Sequence, residues 1–314
     1  MPREDEGDAL MAQAKAHHTK SLTKWSSDWD SAASAYEKAA QTFTHLGVDE
    51  KAKNAWLQAS HAHEKAKNPF FAAKAIESLA NYLKDKAAKN EEIAKEVSEL
   101  YVRAARMYAL DGKPERQSDA LAKAARLAPA GDAASAAKLV LQGLDALEDN
   151  EKHHLTLDLY RSVVLLQVRG NLILDAITTL KREVKTFEKL QQPQGAAKAG
   201  LEIIVLCLAI GDWVLADREF KSMQGDFFGF AHSKEQSAAY GLISAIEERD
   251  EDALKDAIKD SALQFIIPEI SRMAKKLTIN LSNAPAGKKK LQSAGMTSNV
   301  AKPAQDDDDE DDLK

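Results

Sequence analysis

The sequence predicts an all-α fold in which helical hairpins stack one on the next. Three observations carry this: a helix-favouring composition, an apolar face recurring with helical spacing, and short turns at intervals of one helix or one hairpin. Alanine, lysine, glutamate and leucine dominate the 314 residues, while glycine (14), proline (8) and the β-branched and aromatic residues that favour strands are sparse. At 44% apolar content the chain has ample material for a core.

The apolar face shows in four anchors read backwards by three, seven and ten residues. Phe43 follows Ala40, Tyr36 and Ala33; Leu83 follows Ala80, Ile76 and Ala73; Tyr108 follows Ala105, Tyr101 and Ser98; Phe187 follows Val184, Leu180 and Ile177. Offsets of three and four place such side chains on one helical face. In the first three sets small residues alternate with large ones, so a neighbouring helix can approach closely and insert its own side chains. This is the logic of tetratricopeptide-like hairpins, whose apolar faces are covered only by stacked neighbours.

Turn chemistry divides these faces. Gly47, Asn68-Pro69, Asp111 to Pro114, Pro129 to Gly131, Gly170-Asn171, Gln192 to Gly195 and Gly211-Asp212 each interrupt the periodicity. A solenoid is expected over residues 1–224. At Gly225-Asp226-Phe227-Phe228-Gly229-Phe230 the texture changes, and helices are expected near 233–248, 251–260 and 267–277. They read as a C-terminal helical bundle over 225–281 that caps the solenoid. Residues 282–314 contain almost no large apolar side chain and are expected to form a disordered linker and acidic tail.

Charge and cysteine usage bound the setting. The run 306–312 carries seven negative charges, without which the formal −6 becomes +1, so the body is nearly neutral and nucleic acid is not an expected partner. The single cysteine, Cys207, lies in the apolar run Ile203 to Leu208 and reads as a buried structural thiol in a reducing compartment. No apolar h-region opens the chain, and its longest apolar stretch is too short to span a bilayer; a cytoplasmic location follows as an expectation.

Catalytic chemistry finds no support. The phosphate-cradling and zincin motifs are missing, and the histidine groups His17-His18, His61/His63 and His153-His154 have spacings that point the rings to different faces. Acidic residues read as solvated, with no carboxylate pair expected in an apolar setting. No catalytic, cofactor or metal site is therefore expected, and the protein is read as a non-enzyme.

Three candidate binding regions remain. Leu22, Lys24, Trp25 and Trp29 lie in a loop where tryptophan beside lysine suits a membrane interface, although Trp29 equally suits the apolar staple of the following helix. Lys123, Arg126, Arg161, Arg169 and Lys198 recur through the solenoid, where a basic surface would suit an acidic helical partner and solvated side chains are the plainer alternative. The acidic run Asp306, Asp307, Asp308, Asp309, Glu310, Asp311 and Asp312 could serve solubility alone, but the apolar Leu313 beside it is not needed for that.

Several of these segments in order resemble one known family. They are Lys24-Trp25, the run Asp28 to Ala40 (DWDSAASAYEKAA), Phe71 to Ala75 (FAAKA), Val168-Arg169-Gly170, Phe230, Ser261 to Phe265 (SALQF) and the acidic end with a penultimate leucine. Together they resemble the soluble NSF attachment protein (SNAP) family, most closely its gamma branch. The resemblance implies a twisted sheet of helix hairpins with a C-terminal helical bundle, and an adaptor without enzymatic activity. It implies binding of SNARE complexes, with their syntaxin-type helices, along a concave face, to which the five basic residues are assigned. It also implies recruitment and stimulation of the hexameric ATPase NSF through the C-terminal end, including residues 306–313, in vesicle-mediated transport such as ER–Golgi traffic. Peripheral membrane association through the Leu22–Trp29 loop is a further implication, although this loop lacks the phenylalanine pair of the alpha type. The long linker from Ser282 to Gln305 is gamma-like, whereas the Asp-Leu-Lys ending is closer to alpha. The rival reading is a tetratricopeptide-like peptide-binding scaffold unrelated to SNAREs.

Overall fold

The computed structural model describes residues 3–19, 26–129, 131–226 and 228–279. Among them are fourteen α-helices and two short 3-10 helices, with no strand. The helices are α1 (Glu4–His18), α2 (Trp29–Leu46), α3 (Asp49–Lys65), α4 (Pro69–Ala87), α5 (Glu91–Leu110), α6 (Pro114–Ala125), α7 (Ala133–Asp149) and α8 (Leu157–Arg169). They continue with α9 (Ile173–Lys189), α10 (Pro193–Ala209), α11 (Trp213–Asp226), α12 (Lys234–Glu248), α13 (Glu251–Ala257) and α14 (Pro268–Ala274). The 3-10 helices are His153–Leu155 and Ser261–Gln264. The all-α expectation holds. The tail expected from residue 282 lies outside the described residues.

Turn residues end helices for the reasons that marked them in sequence. Gly47 closes α2 with φ +73, a left-handed conformation that costs glycine little, and Gly112 does the same after α5 with φ +66. Pro69, Pro114, Pro193 and Pro268 open their helices at positions where the missing N–H loses nothing. Aspartates and a serine cap others: Asp28 accepts from Ser31 N at 3.0 Å, Asp132 from Ser135 N at 3.1 Å and Ser233 from Gln236 N at 3.0 Å. Some breaks carry no glycine or proline, two of them inside the stack. Asn90 separates α4 from α5, its side chain accepting from the N–H groups of Glu92 and Ile93, and residues 150–156 form a turn with a 3-10 helix between α7 and α8. The helix expected over 251–260 stops at Ala257, because Asp260 caps a new 3-10 helix instead.

From α1 to α11 each helix packs on its sequence neighbours, which is the pattern of stacked hairpins. The alternating face of α2 is covered as its spacing requires: Ala33 and Ala40 are fully buried, Tyr36 and Phe43 nearly so. Helix α10 differs. Its run Ile203 to Leu208 is apolar on every side, and it packs against α9, α11, α12 and α14, forming the hub of the C-terminal helices. The expected boundary at residue 225 falls inside α11, and residues to Ile279 form one compact unit.

Apolar burial among the described residues divides into two large clusters and a small one. The first runs from Ala14 to Ala124 and the second from Val164 to Ala274. Between them Ala125, Ala136, Val140 and Val163 make a patch joining α6, α7 and α8, with Leu144, Leu147 and Tyr160 also fully or almost fully buried nearby in the chain. Polar contacts reinforce this middle region. The fully buried Tyr160 of α8 donates its hydroxyl to Glu148 of α7, and Arg182 of α9 holds the other oxygen of Glu148 at 2.8 Å (Nε) and 2.6 Å (Nη2), also reaching Asp145 at 2.7 Å. Burial pulls the Glu148 carboxyl up, but hydrogen bonds from Tyr160 and Arg182 outweigh it and hold the group below the ordinary carboxylate range.

Candidate functional site

The five basic residues assigned to partner binding have unlike surroundings. Lys123, on α6, is taken up internally: its Nζ lies 2.7 Å from Glu77 of α4 and 2.8 Å from Asp119, and 5.9 Å from the centre of the Tyr101 ring. Glu77 is buried and also accepts from the Tyr108 hydroxyl at 2.7 Å. Burial pulls the Lys123 ammonium down, yet hydrogen bonds to Asp119 and Glu77 more than reverse this and keep it above the usual lysine range. Arg169, at the end of α8, bonds Glu269 of α14 at 2.6 Å and so ties the solenoid to the C-terminal helices. Arg126 is exposed after α6 and forms no ion pair among the described residues.

The remaining two, Arg161 and Lys198, meet at one place. Helices α8, α9 and α10 and the segment entering α14 line a half-open cavity of about 180 Å³, bounded among others by Arg161, Glu183, Phe187, Lys198, Glu202 and Phe265. Arg161 is exposed and Lys198 half-buried, with the Lys198 Nζ 5.8 Å from the centre of the Phe265 ring. Lys234 lies over the same ring at 5.0 Å. Phe265 itself is 56% exposed.

Two glutamates form the cavity's buried wall, and here the sequence-based expectation fails. Carboxylates were expected to be solvated, but Glu183 is 8% exposed and Glu202 6%. Glu202 accepts from the Ile267 N–H at 2.7 Å. Glu183 has no hydrogen bond or ion pair among the described residues. Burial pushes Glu183 up to about 8, with the neighbouring Glu202 adding to the rise and Arg161 opposing it. Burial likewise lifts Glu202 to about 7, against the lowering effects of the Ile267 N–H, Arg161 and Lys198. A sequence signal existed for both. Glu202 interrupts the all-apolar run of α10, and Glu183 falls three residues after Leu180 and four before Phe187, on the buried face of α9.

The other sequence candidates are placed as follows. Leu22, Lys24 and Trp25 lie outside the described residues, as do Asp306 to Leu313. Trp29 opens α2, half-buried, with its ring stacked on His18 at 4.8 Å and edge-on to His61 at 6.2 Å. His18 also reaches the Tyr36 hydroxyl at 3.1 Å, and His63 reaches Glu37 at 3.0 Å. Among the described residues no three histidine, cysteine or acidic side chains group as a metal site would need. Cys207 is fully buried, and burial pushes its thiol up to about 12, which suits an inert packing role. No helix among the described residues is long and apolar enough to cross a membrane.

No protein-family model matches the sequence. A gamma-soluble NSF attachment protein of Dictyostelium discoideum is 26% identical over 275 residues, which cover 88% of this chain and 83% of that protein. A gamma-soluble NSF attachment protein of Arabidopsis thaliana is 30% identical over 270 residues, covering 86% of this chain and 91% of the relative. The chain belongs to the soluble NSF attachment protein family. Both relatives are gamma members, in agreement with the branch its sequence most resembles, and both alignments extend over most of the hairpin stack. The island Ser261 to Phe265 occupies the 3-10 helix and the ring beside the cavity.

Proposed function

We propose that this protein is a non-enzymatic adaptor that binds SNARE complexes and recruits and stimulates NSF, so that the ATPase takes the complexes apart in vesicle-mediated transport. The observation that supports this reading above others is 30% identity to a gamma-soluble NSF attachment protein across 91% of that relative's length. A stack of helical hairpins suits a long helical partner, since stacked repeats offer extended surfaces. Lys123, Arg126, Arg161, Arg169 and Lys198 are the proposed SNARE contacts. Arg126, Arg161 and Lys198 lead, because their charges are not spent on close ion pairs among the described residues, as those of Lys123 and Arg169 are. Residues 306–313 and the helices beyond 225 are the proposed NSF-facing end, and the loop containing Leu22, Lys24, Trp25 and Trp29 the proposed contact with the membrane surface. A cytoplasmic, peripherally membrane-associated protein follows from the same reading.

The test is co-precipitation of NSF and a soluble SNARE complex by the full chain, by a chain ending before Asp306, and by Leu313→Ala. The full chain should capture both. The two variants should keep the SNARE complex and lose NSF capture and stimulation of its ATPase. Failure of the full chain to hold any SNARE complex would favour the tetratricopeptide-like scaffold that docks an unrelated peptide.

A further inference from the structure

We infer that the cavity between α8, α9 and α10 is a receptor for one cationic side chain, an arginine or lysine presented by a protein partner, held between the carboxylates of Glu183 and Glu202 and flanked by the rings of Phe187 and Phe265. The inference goes beyond the adaptor reading, which assigns this region only through its basic residues.

Geometry carries it. Buried carboxylates are ordinarily paired, because an uncompensated charge away from water is costly. Here two line one cavity with no cation bound to either at ion-pair distance, and Glu183 has no hydrogen-bond donor among the described residues. Glu202 uses one oxygen on the Ile267 N–H, leaving the other available. A volume of about 180 Å³ greatly exceeds the roughly 30 Å³ share of one water and admits a side-chain head. The aromatic walls suit a planar guanidinium, which stacks on rings while donating to carboxylates. Phe187 lies against α10 because position 195 is glycine: a Cβ there would stand 2.3 Å from the Phe187 Cε1.

The charged groups facing the cavity set its sign. From α8 come Asp158 and Arg161, from α9 Glu183, from α10 Lys198 and Glu202, and Lys234 of α12 stands over the outer Phe265 ring. Glu269 of α14 is occupied by Arg169. Arg161 and Lys198 are the more exposed, while the two glutamates are buried. The two acids thus lie beneath a mixed rim, and the interior becomes anionic as pH rises through the raised range in which Glu202 and Glu183 lose their protons. The exposed Arg161 is the internal competitor, since its guanidinium is attracted to both glutamates without pairing with either. Occupation by a cation favours the ionised carboxylates, so binding releases protons and strengthens as pH rises.

The experiment is calorimetric titration of the full chain with N-acetyl-arginine methylamide, and with the neutral citrulline analogue, at pH 6.0 and pH 8.5. The arginine probe should bind at least tenfold more tightly at pH 8.5 with net proton release, and the citrulline probe should bind at neither pH. Glu183→Gln should weaken the arginine probe at least tenfold while the chain stays folded by circular dichroism, and Arg161→Ala should tighten it. The inference is overturned by equal affinity for both probes, by pH-independent binding, by no arginine binding at pH 8.5, or by Arg161→Ala weakening the interaction.

Discussion

Replacing Glu183 by glutamine should make the protein's stability less sensitive to pH, with a slope that follows from the buried carboxyl. In the unfolded chain Glu183 titrates near its ordinary 4.5, whereas in the fold burial and Glu202 raise it to about 8. A raised carboxyl binds its proton more strongly when folded, so its stabilising effect is complete below pH 4.5 and disappears as pH climbs towards 8. Between pH 5 and 7 the folded form keeps the proton that the unfolded form has lost, which costs about 1.4 kcal/mol per pH unit for this one group. Glutamine cannot titrate, so Glu183→Gln should gain about 2.7 kcal/mol on the unmodified protein between pH 5 and pH 7. The assay is equilibrium urea unfolding at pH 5.0, 6.0 and 7.0, comparing midpoints at constant m. Glu202→Gln should act in the same direction. A stability difference between Glu183→Gln and the unmodified chain that does not change with pH would refute the reasoning.

Two further outcomes follow from the packing. Tyr160→Phe removes a buried donor from Glu148 at the junction of α7, α8 and α9, and should lower stability by about 1.5 to 3 kcal/mol, the range for hydrogen bonds to a charged group; urea unfolding would show it, and no loss would mean that Arg182 and Thr186 satisfy Glu148 without it. Gly200→Ala should destabilise although alanine is the better helix former by about 1 kcal/mol, because the added Cβ would stand 2.7 Å from the Phe230 ring and such overpacking costs about 1 to 3 kcal/mol. A higher midpoint for that variant would show that the ring can step aside.

The hairpin stack was legible in the sequence because local signals determine it. Ala33, Tyr36, Ala40 and Phe43 reveal a buried face by spacing alone, and Gly47 and Pro69 mark helix ends through backbone geometry that needs no tertiary partner. The break at Asn90 was less visible, since asparagine caps a helix through its side chain and carries a weaker signal than glycine or proline. The cavity could not be read this way. That Glu183 and Glu202 face each other depends on how α9 lies beside α10, and that Lys123 is neutralised depends on Glu77 arriving from α4, forty-six residues away in sequence. Residues of like appearance in the sequence therefore divide, once folded, into spent charges such as Lys123 and Arg169 and available ones such as Arg126 and Arg161.

The polar clamp in the middle of the stack has a mechanical consequence. Within each large cluster, interlocked alanines and aromatic rings resist shear through many weak contacts that can slide and re-form. At the junction of α7, α8 and α9 the buried Leu144, Leu147 and Tyr160 are accompanied by the Glu148–Tyr160–Arg182 clamp, and part of the load passes through it. Hydrogen bonds are directional and short-ranged, so such a joint is stiff up to a limit and then yields at once. A force along the stack would be borne evenly by the two flanking blocks and concentrated at this one joint. Pulled from its ends, the molecule should part there first, as two blocks that each keep their helices.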